Sequence, residues 1–67
     1  MNEIETAAFW VAYNEMRDSE QRVGQAMMNA LRYVAPELYS EITGSKYDIF
    51  YRDTSQDIYR FREYLGI

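Results

Sequence analysis

Three groups of residues have types and spacings that could support chemistry. Glu37 and Glu41 stand four residues apart, where two carboxylates on one helix could share a metal ion or raise one pKa. We favour the simpler interpretation of a solvated acidic face. Asp48, Asp53 and Asp57 lack the alternate acids and final Glu of a calcium-binding loop. Helix caps and turns explain these three aspartates better.

The third group is the segment from Arg22 to Gln25, which contains Gly24. It is not a phosphate-binding loop, because it has neither a second glycine nor a Lys-Ser/Thr pair. The chain also has no histidine and no cysteine, so imidazole bases, thiolates, disulfides and the usual zinc ligands are absent. We therefore predict that the protein is not an enzyme and has no catalytic residues, cofactor or metal site.

The charge distribution argues against a nucleic-acid partner, and the absence of a long apolar run argues against a membrane-spanning segment. The net charge is −4 over 67 residues, and the acids and bases are spread evenly, with no basic arm. Direct binding to DNA or RNA needs several cations on one face, so we do not expect it. No apolar run approaches the roughly 20 residues that span a bilayer. We expect a cytoplasmic protein.

Apolar residues recur at helical spacing in four segments, and no segment alternates as a strand would. The predicted helices cover Glu3 to Arg17, Glu20 to Val34, Glu37 to Thr43, and Ser55 or Gln56 to Tyr64. The sequence therefore predicts a single all-α domain over residues 1–67, a compact bundle of three longer helices and one short helix.

Local signals indicate where these helices begin. Asp18 or Ser19 could cap the second helix, and Asp18 has the spacing of an ion pair with Arg22. Gly24 lies inside that helix, where it either lets another helix approach closely or is simply tolerated. Pro36 suits the first position of the third helix.

Other signals mark the ends and the last helix. Gly44 and Gly66 should follow the third and fourth helices. Thr54 and Asp57 resemble a capping box at the start of the fourth. Residues 45–54 are rich in aromatic rings, so we predict a packed loop or a single helical turn there.

Two apolar sets share the first helix, and together they predict a wide buried stripe. One set is Ile4, Ala8 and Val11, and the other is Phe9, Tyr13 and Met16, with Trp10 only half covered between them. The predicted core of the whole domain consists of Val11, Val23, Met27, Leu31, Leu38, Ile42, Phe50, Ile58 and Phe61.

The aromatic residues and arginines suggest a binding surface. Seven tyrosines exceed what so small a core can hide, because a buried tyrosine hydroxyl needs a polar partner. Tyr, Trp and Arg also dominate the hot spots of protein interfaces. The candidate partner-binding residues are Trp10, Tyr33, Tyr39, Tyr47, Tyr51, Tyr59, Arg60 and Arg62.

The segment from Arg22 to Asp53 resembles a family of small tailed-bacteriophage proteins. Their pattern reads R-x-G-Q-A-x-x-N-A-L, then P-x-L, I-x-G-[ST] and D-x-F-Y-x-D. The matching residues are Arg22, Gly24, Gln25, Ala26, Asn29, Ala30, Leu31, Pro36, Leu38, Ile42, Gly44, Asp48, Phe50, Tyr51 and Asp53. Ile49 departs from the pattern, since the family often has proline there. The polar residues of the motif are explained as a fold signature, with Asp48 and Asp53 capping helices or turns around Phe50 and Tyr51.

The resemblance implies a context and no chemistry. It suggests a protein that docks on a host or phage protein and inhibits or redirects it, in transcription, replication or antiviral defence. Two alternatives stay open: a nucleic-acid mimic that occupies a DNA- or RNA-binding enzyme, and a small homo-oligomeric structural protein. A homodimer is expected to hide surplus aromatic rings.

Overall fold

The computed structural model describes residues 1–67 and contains four helices and no strand. The helices are α1 (Glu3–Asp18), α2 (Val23–Val34), α3 (Pro36–Ile42) and α4 (Ser55–Leu65). The prediction of an all-α bundle with three longer helices and one short helix is confirmed at this level. Helix α1 packs against α2, and α2 packs against α3.

The turn between α1 and α2 corrects the predicted start of the second helix. Glu20 has a φ of 68°, a left-handed conformation that cannot continue a right-handed helix. Ser19 belongs to the end of α1, where its backbone N–H and its hydroxyl both donate to the carbonyl of Glu15. Helix α2 therefore begins at Val23 and not at Glu20, and neither Asp18 nor Ser19 caps it.

The start of α4 and both glycine turns agree with the prediction. The hydroxyl of Thr54 accepts from the backbone N–H of Asp57 at 3.2 Å, and the Asp57 carboxylate accepts from the N–H of Thr54 at 3.3 Å. Gly44 and Gly66 have φ values of 80° and 72°, the left-handed region in which a side chain would be strained. Pro36 takes the first position of α3, as expected.

The loop between α3 and α4 is part of the packed interior. Ile49 is only 1% exposed, and Tyr47 and Phe50 are half-buried against the core. The carboxylate of Asp48 holds the loop by accepting from the N–H of Gly44 at 2.8 Å and from the N–H of Phe50 at 3.0 Å. The prediction of a packed loop is confirmed.

The core differs from the prediction mainly on α1. Met27, Leu31, Ile42 and Phe61 are buried as expected, but Val11 is 60% exposed and lies outside the core. Val23, Leu38, Phe50 and Ile58 are only half-buried at its edge. The buried side chains that the predicted core lacked are Phe9, Ala12, Ala26, Met28, Ala30, Ala35, Ile49 and Leu65.

The physical reason is that α1 buries one of its two apolar sets. At about 100° per residue, Phe9 and Val11 point to roughly opposite sides of the helix. The Phe9 ring is fully buried and lies 6.3 Å, between ring centroids, from the ring of Phe61. An aromatic ring buries more apolar area than a valine, so the set containing Phe9 faces the core.

Candidate protein-binding surface

The three aspartates cap helices or turns. Asp48 binds the N–H groups of its own loop, and Asp57 completes the capping box of α4. Asp53 accepts from the backbone N–H of Gly24 at 3.0 Å. No group of three or more acidic side chains could hold a metal ion. The interpretation of these residues as helix and turn caps is confirmed.

Arg22, Gly24 and Asp53 of the phage-like motif join the start of α2 to the loop before α4. The guanidinium of Arg22 donates to the carbonyl of Phe50 and lies 3.4 Å from a carboxylate oxygen of Asp53. This ion pair replaces the one expected between Asp18 and Arg22, because Asp18 lies in α1 and shares no helix with Arg22. The motif therefore includes contacts that fix one helix to one loop.

Gly24 is required by a close approach, but the approaching segment is a loop and not a helix. A Cβ atom at this position would clash with the carbonyl oxygen of Ile49 and lie 2.7 Å from Cβ of Asp53. The absence of a side chain lets the Asp53 carboxylate reach the N–H of Gly24, in the first turn of α2. An anionic acceptor there is also favoured by the helix dipole.

The eight candidate partner-binding residues lie in different parts of the surface. Tyr47, Tyr59, Arg60 and Arg62 line two adjoining grooves along α4. Tyr39 and Tyr51 line another groove beside Met28 and Phe50. Tyr33 is 80% exposed and lines a separate groove next to α1. The candidates therefore do not form one continuous site.

The grooves along α4 are the largest cavities that contain several of the candidates, and we call the charged and tyrosine side chains that line them the α4 surface. One groove has a volume of about 550 Å³ and the other about 590 Å³, and Glu63 lines both of them. Both are open to solvent. The α4 surface comprises Lys46, Tyr47, Tyr59, Arg60, Arg62, Glu63 and Tyr64.

Two stacked rings line the first groove. The rings of Tyr47 and Tyr64 lie 4.3 Å apart between centroids with an angle of 26° between their planes. The Tyr64 hydroxyl donates to the carboxylate of Glu41, and this hydrogen bond raises the pKa of Tyr64 above its usual value of 10.0. The ring pair is thus held in place from the side of α3, while Tyr64 remains 41% exposed.

Trp10 and Arg62 are fixed by contacts within the chain. Trp10 is half-buried, as predicted, and the Arg62 guanidinium carbon lies 5.1 Å from the centroid of the Trp10 ring. The same guanidinium donates to the carbonyl of Ile67 at 2.7 and 3.2 Å. Arg60 and Tyr59, by contrast, are exposed, and the Tyr59 hydroxyl interacts with Glu63 one turn further along the same helix, which raises the pKa of Tyr59. Tyr59 and Arg60 are therefore more available for binding a partner than Arg62.

The sequence analysis did not include Lys46, Glu63 or Tyr64 among the candidates. Tyr64 lies four residues after Arg60, so helical spacing alone places both on one side of α4. The stacking of Tyr64 on Tyr47 joins residues 17 positions apart, and no local spacing signals it.

Comparison with known proteins gives no match: no family model, no curated protein and no solved structure is significantly similar to this chain. The likeness to the phage proteins therefore depends on the motif residues alone. Among the helices, none has the length and apolar character needed to cross a bilayer.

Proposed function

We propose that this protein acts by binding another protein through the α4 surface, and that it inhibits or redirects that partner. The observation that carries the proposal is the exposure of Tyr59 (66%) and Tyr64 (41%) beside Arg60 on one helix. Tyrosine and arginine contribute disproportionately to binding free energy in protein interfaces. Side chains of these types, grouped around two grooves, supply the ring-and-guanidinium anchors of such an interface.

The proposed target is a host or phage protein, and the resemblance to tailed-phage proteins is the reason for choosing that class. Transcription, replication and antiviral defence are the processes we propose, with the host cytoplasm as the compartment. The mode of action is non-catalytic. Its support is that both grooves are open to solvent, so neither encloses a carboxylate in the apolar surroundings that would raise its pKa for acid–base catalysis.

A tagged copy expressed in bacteria tests the proposal, with a matched pair of double variants. Tyr59→Ala with Arg60→Ala removes the two available anchors, and Tyr33→Ala with Arg52→Ala removes exposed residues of the same types outside the α4 surface. We expect one stoichiometric partner that the first variant loses and the second retains, because each hot-spot truncation costs about 2 kcal/mol or more. Equal recovery with both variants would contradict the proposal.

One observation favours the alternative of nucleic-acid mimicry. The single ion pair of the structure joins Arg22 and Asp53, so Asp53 alone among the eleven acidic residues is neutralised by a neighbouring cation. The carboxylates of five exposed residues make no hydrogen bond within the chain and are free to face a cationic groove of a DNA- or RNA-binding enzyme: Glu3, Glu15, Asp18, Glu20 and Glu37. Under this alternative the partner is such an enzyme, and high salt separates the pair. Binding that resists high salt and depends on Tyr59 excludes it.

A further inference from the structure

The outward side of α1 carries an apolar strip that no part of the chain covers. Ile4 is 82% exposed and Val11 is 60% exposed, and the exposed Ala7 and Ala8 lie between them on the same side of the helix. We call these four residues the α1 outer face. Ile4, Ala8 and Val11 follow the i, i+4, i+7 spacing by which one helix presents a continuous seam to a partner helix.

The charged side chains of α1 that lie next to this strip are all acidic. Glu15 and Asp18 continue the same side of α1 towards its C-terminus, and Glu3 flanks its start. All three are exposed, and none takes part in the single ion pair of the structure. The nearest cation on the helix, Arg17, donates to the carbonyl of Gln21 at 2.7 Å. The strip therefore has a negative rim without compensating cations.

The acidic residues around the α1 outer face determine which class of partner can bind it. A second copy docked through the same face would bring acidic rims together, which is unfavourable. An anionic membrane surface and a nucleic acid are repelled in the same way. An uncharged apolar partner would leave the rim carboxylates without counterions. A partner segment with an apolar seam and flanking lysines or arginines satisfies both the strip and the rim.

We propose that the α1 outer face binds a cationic amphipathic helix of another protein. The apolar side chains of that helix cover Ile4 and Val11, and its cations reach Glu15 and Asp18. The small side chains of Ala7 and Ala8 allow the two backbones to approach closely. Helix α1 has 16 residues, a length of about 24 Å, which accommodates a partner helix of similar length. The α1 outer face shares no residue with the α4 surface, so this inference does not depend on the proposed function.

Three synthetic peptides serve as probes. The first is a helix-forming peptide of leucine and lysine with a helical period, the second replaces each lysine by glutamate, and the third scrambles the first out of period. Chemical-shift changes in the ¹⁵N-labelled protein locate the contact. We expect only the first peptide to bind, with the changes concentrated on Ile4, Ala8, Val11 and Glu15. Binding of the scrambled peptide to the same extent, changes spread over the acidic surface, or no binding would overturn the inference.

Protein variants separate the strip from the rim. Ile4→Ser with Val11→Ser should weaken binding of the leucine-lysine peptide roughly tenfold, because two apolar contacts are lost. Glu15→Lys should weaken it roughly fivefold, while Glu37→Lys, with the same change in net charge on α3, should leave it within about twofold. Equal weakening by the two charge reversals would show that only net charge matters and would overturn the inference. Circular dichroism of each variant checks that the helices are retained. The chemical-shift changes of the wild-type protein test where the peptide binds and do not depend on any variant.

Discussion

The Asp53 carboxylate and the backbone N–H of Gly24 form a 3.0 Å hydrogen bond between residues 29 positions apart. Arg22, the residue before α2, has no side-chain oxygen that could cap the helix, and Gln25 accepts only from the N–H of Arg22. Asp53 supplies an acceptor that the first turn of α2 would otherwise lack. A long-range contact thus performs the task that a local cap performs in α1, where the Asn2 side chain accepts from the N–H of Glu5, and in α4, where Thr54 accepts from the N–H of Asp57.

Replacing Asp53 by alanine should lower the free energy of unfolding by about 2 kcal/mol, because the half-buried N–H of Gly24 loses its acceptor and Arg22 loses its counterion. In a domain of this size that loss lowers Tm by roughly 8–16 °C. Thermal and urea unfolding measure it. Glu37→Ala removes an exposed acid of α3 and should change stability by less than about 0.5 kcal/mol. Equal effects of the two substitutions would show that Asp53 is not a cap.

Gly24→Ala should destabilise the protein although alanine is the better helix former. The intrinsic gain is about 1 kcal/mol, but the added Cβ would clash with the backbone carbonyl of Ile49, which cannot move without displacing the loop. We expect a net loss of about 1–2 kcal/mol in urea unfolding. Ser40→Ala, at an exposed position of α3, provides the control for propensity and should be neutral or stabilising. A stabilised Gly24→Ala variant would contradict the close approach.

The features that sequence reasoning predicted well are those decided within a few residues. Pro36, Gly44 and Gly66 act through their own backbone preferences, and Thr54 acts on Asp57 only three residues away. Such signals depend on local dihedral angles and short hydrogen bonds, so one stretch of sequence contains the whole cause. The start of α2 could not be predicted this way, because its acceptor is on Asp53 and its close neighbour is Ile49.

The same distinction between local signals and long-range contacts applies to the candidate binding surface. Tyr59 and Arg60 were identifiable from residue type, but helical spacing could not reveal the stacking of Tyr47 on Tyr64. Residue type also could not decide which apolar set of α1 is buried, because both sets have helical periodicity. That choice depends on the fit of Phe9 against Phe61, a contact across 52 residues of chain.

The two apolar sets of α1 should respond very differently to truncation. Phe9→Ala should cost about 3–5 kcal/mol, since it leaves a cavity in the core, and in so small a domain this can abolish folding. Val11→Ser removes a side chain that is already mostly in water and should cost less than about 1 kcal/mol. Circular dichroism and thermal unfolding distinguish the two. A large loss in Val11→Ser would mean that Val11 is buried, as the sequence first indicated.

The contact between Tyr64 and Glu41 predicts a dependence of stability on alkaline pH. Its hydrogen bond with the Glu41 carboxylate raises the pKa of Tyr64 in the folded protein above the unfolded value of 10.0, so the folded state favours the protonated hydroxyl. The contribution of this contact is therefore fully present below pH 10.0 and is lost as the pH rises through the folded pKa. The Glu41→Gln variant should remove much of the shift, because the neutral amide is a weaker acceptor and carries no charge. Absorbance titration of tyrosinate in the wild type, Glu41→Gln and Tyr64→Phe measures the effect, and the Tyr64→Phe trace should lack one of the late-ionising groups. If the tyrosinate titrations of Glu41→Gln and the wild type coincide across this range, the two side chains do not interact in solution.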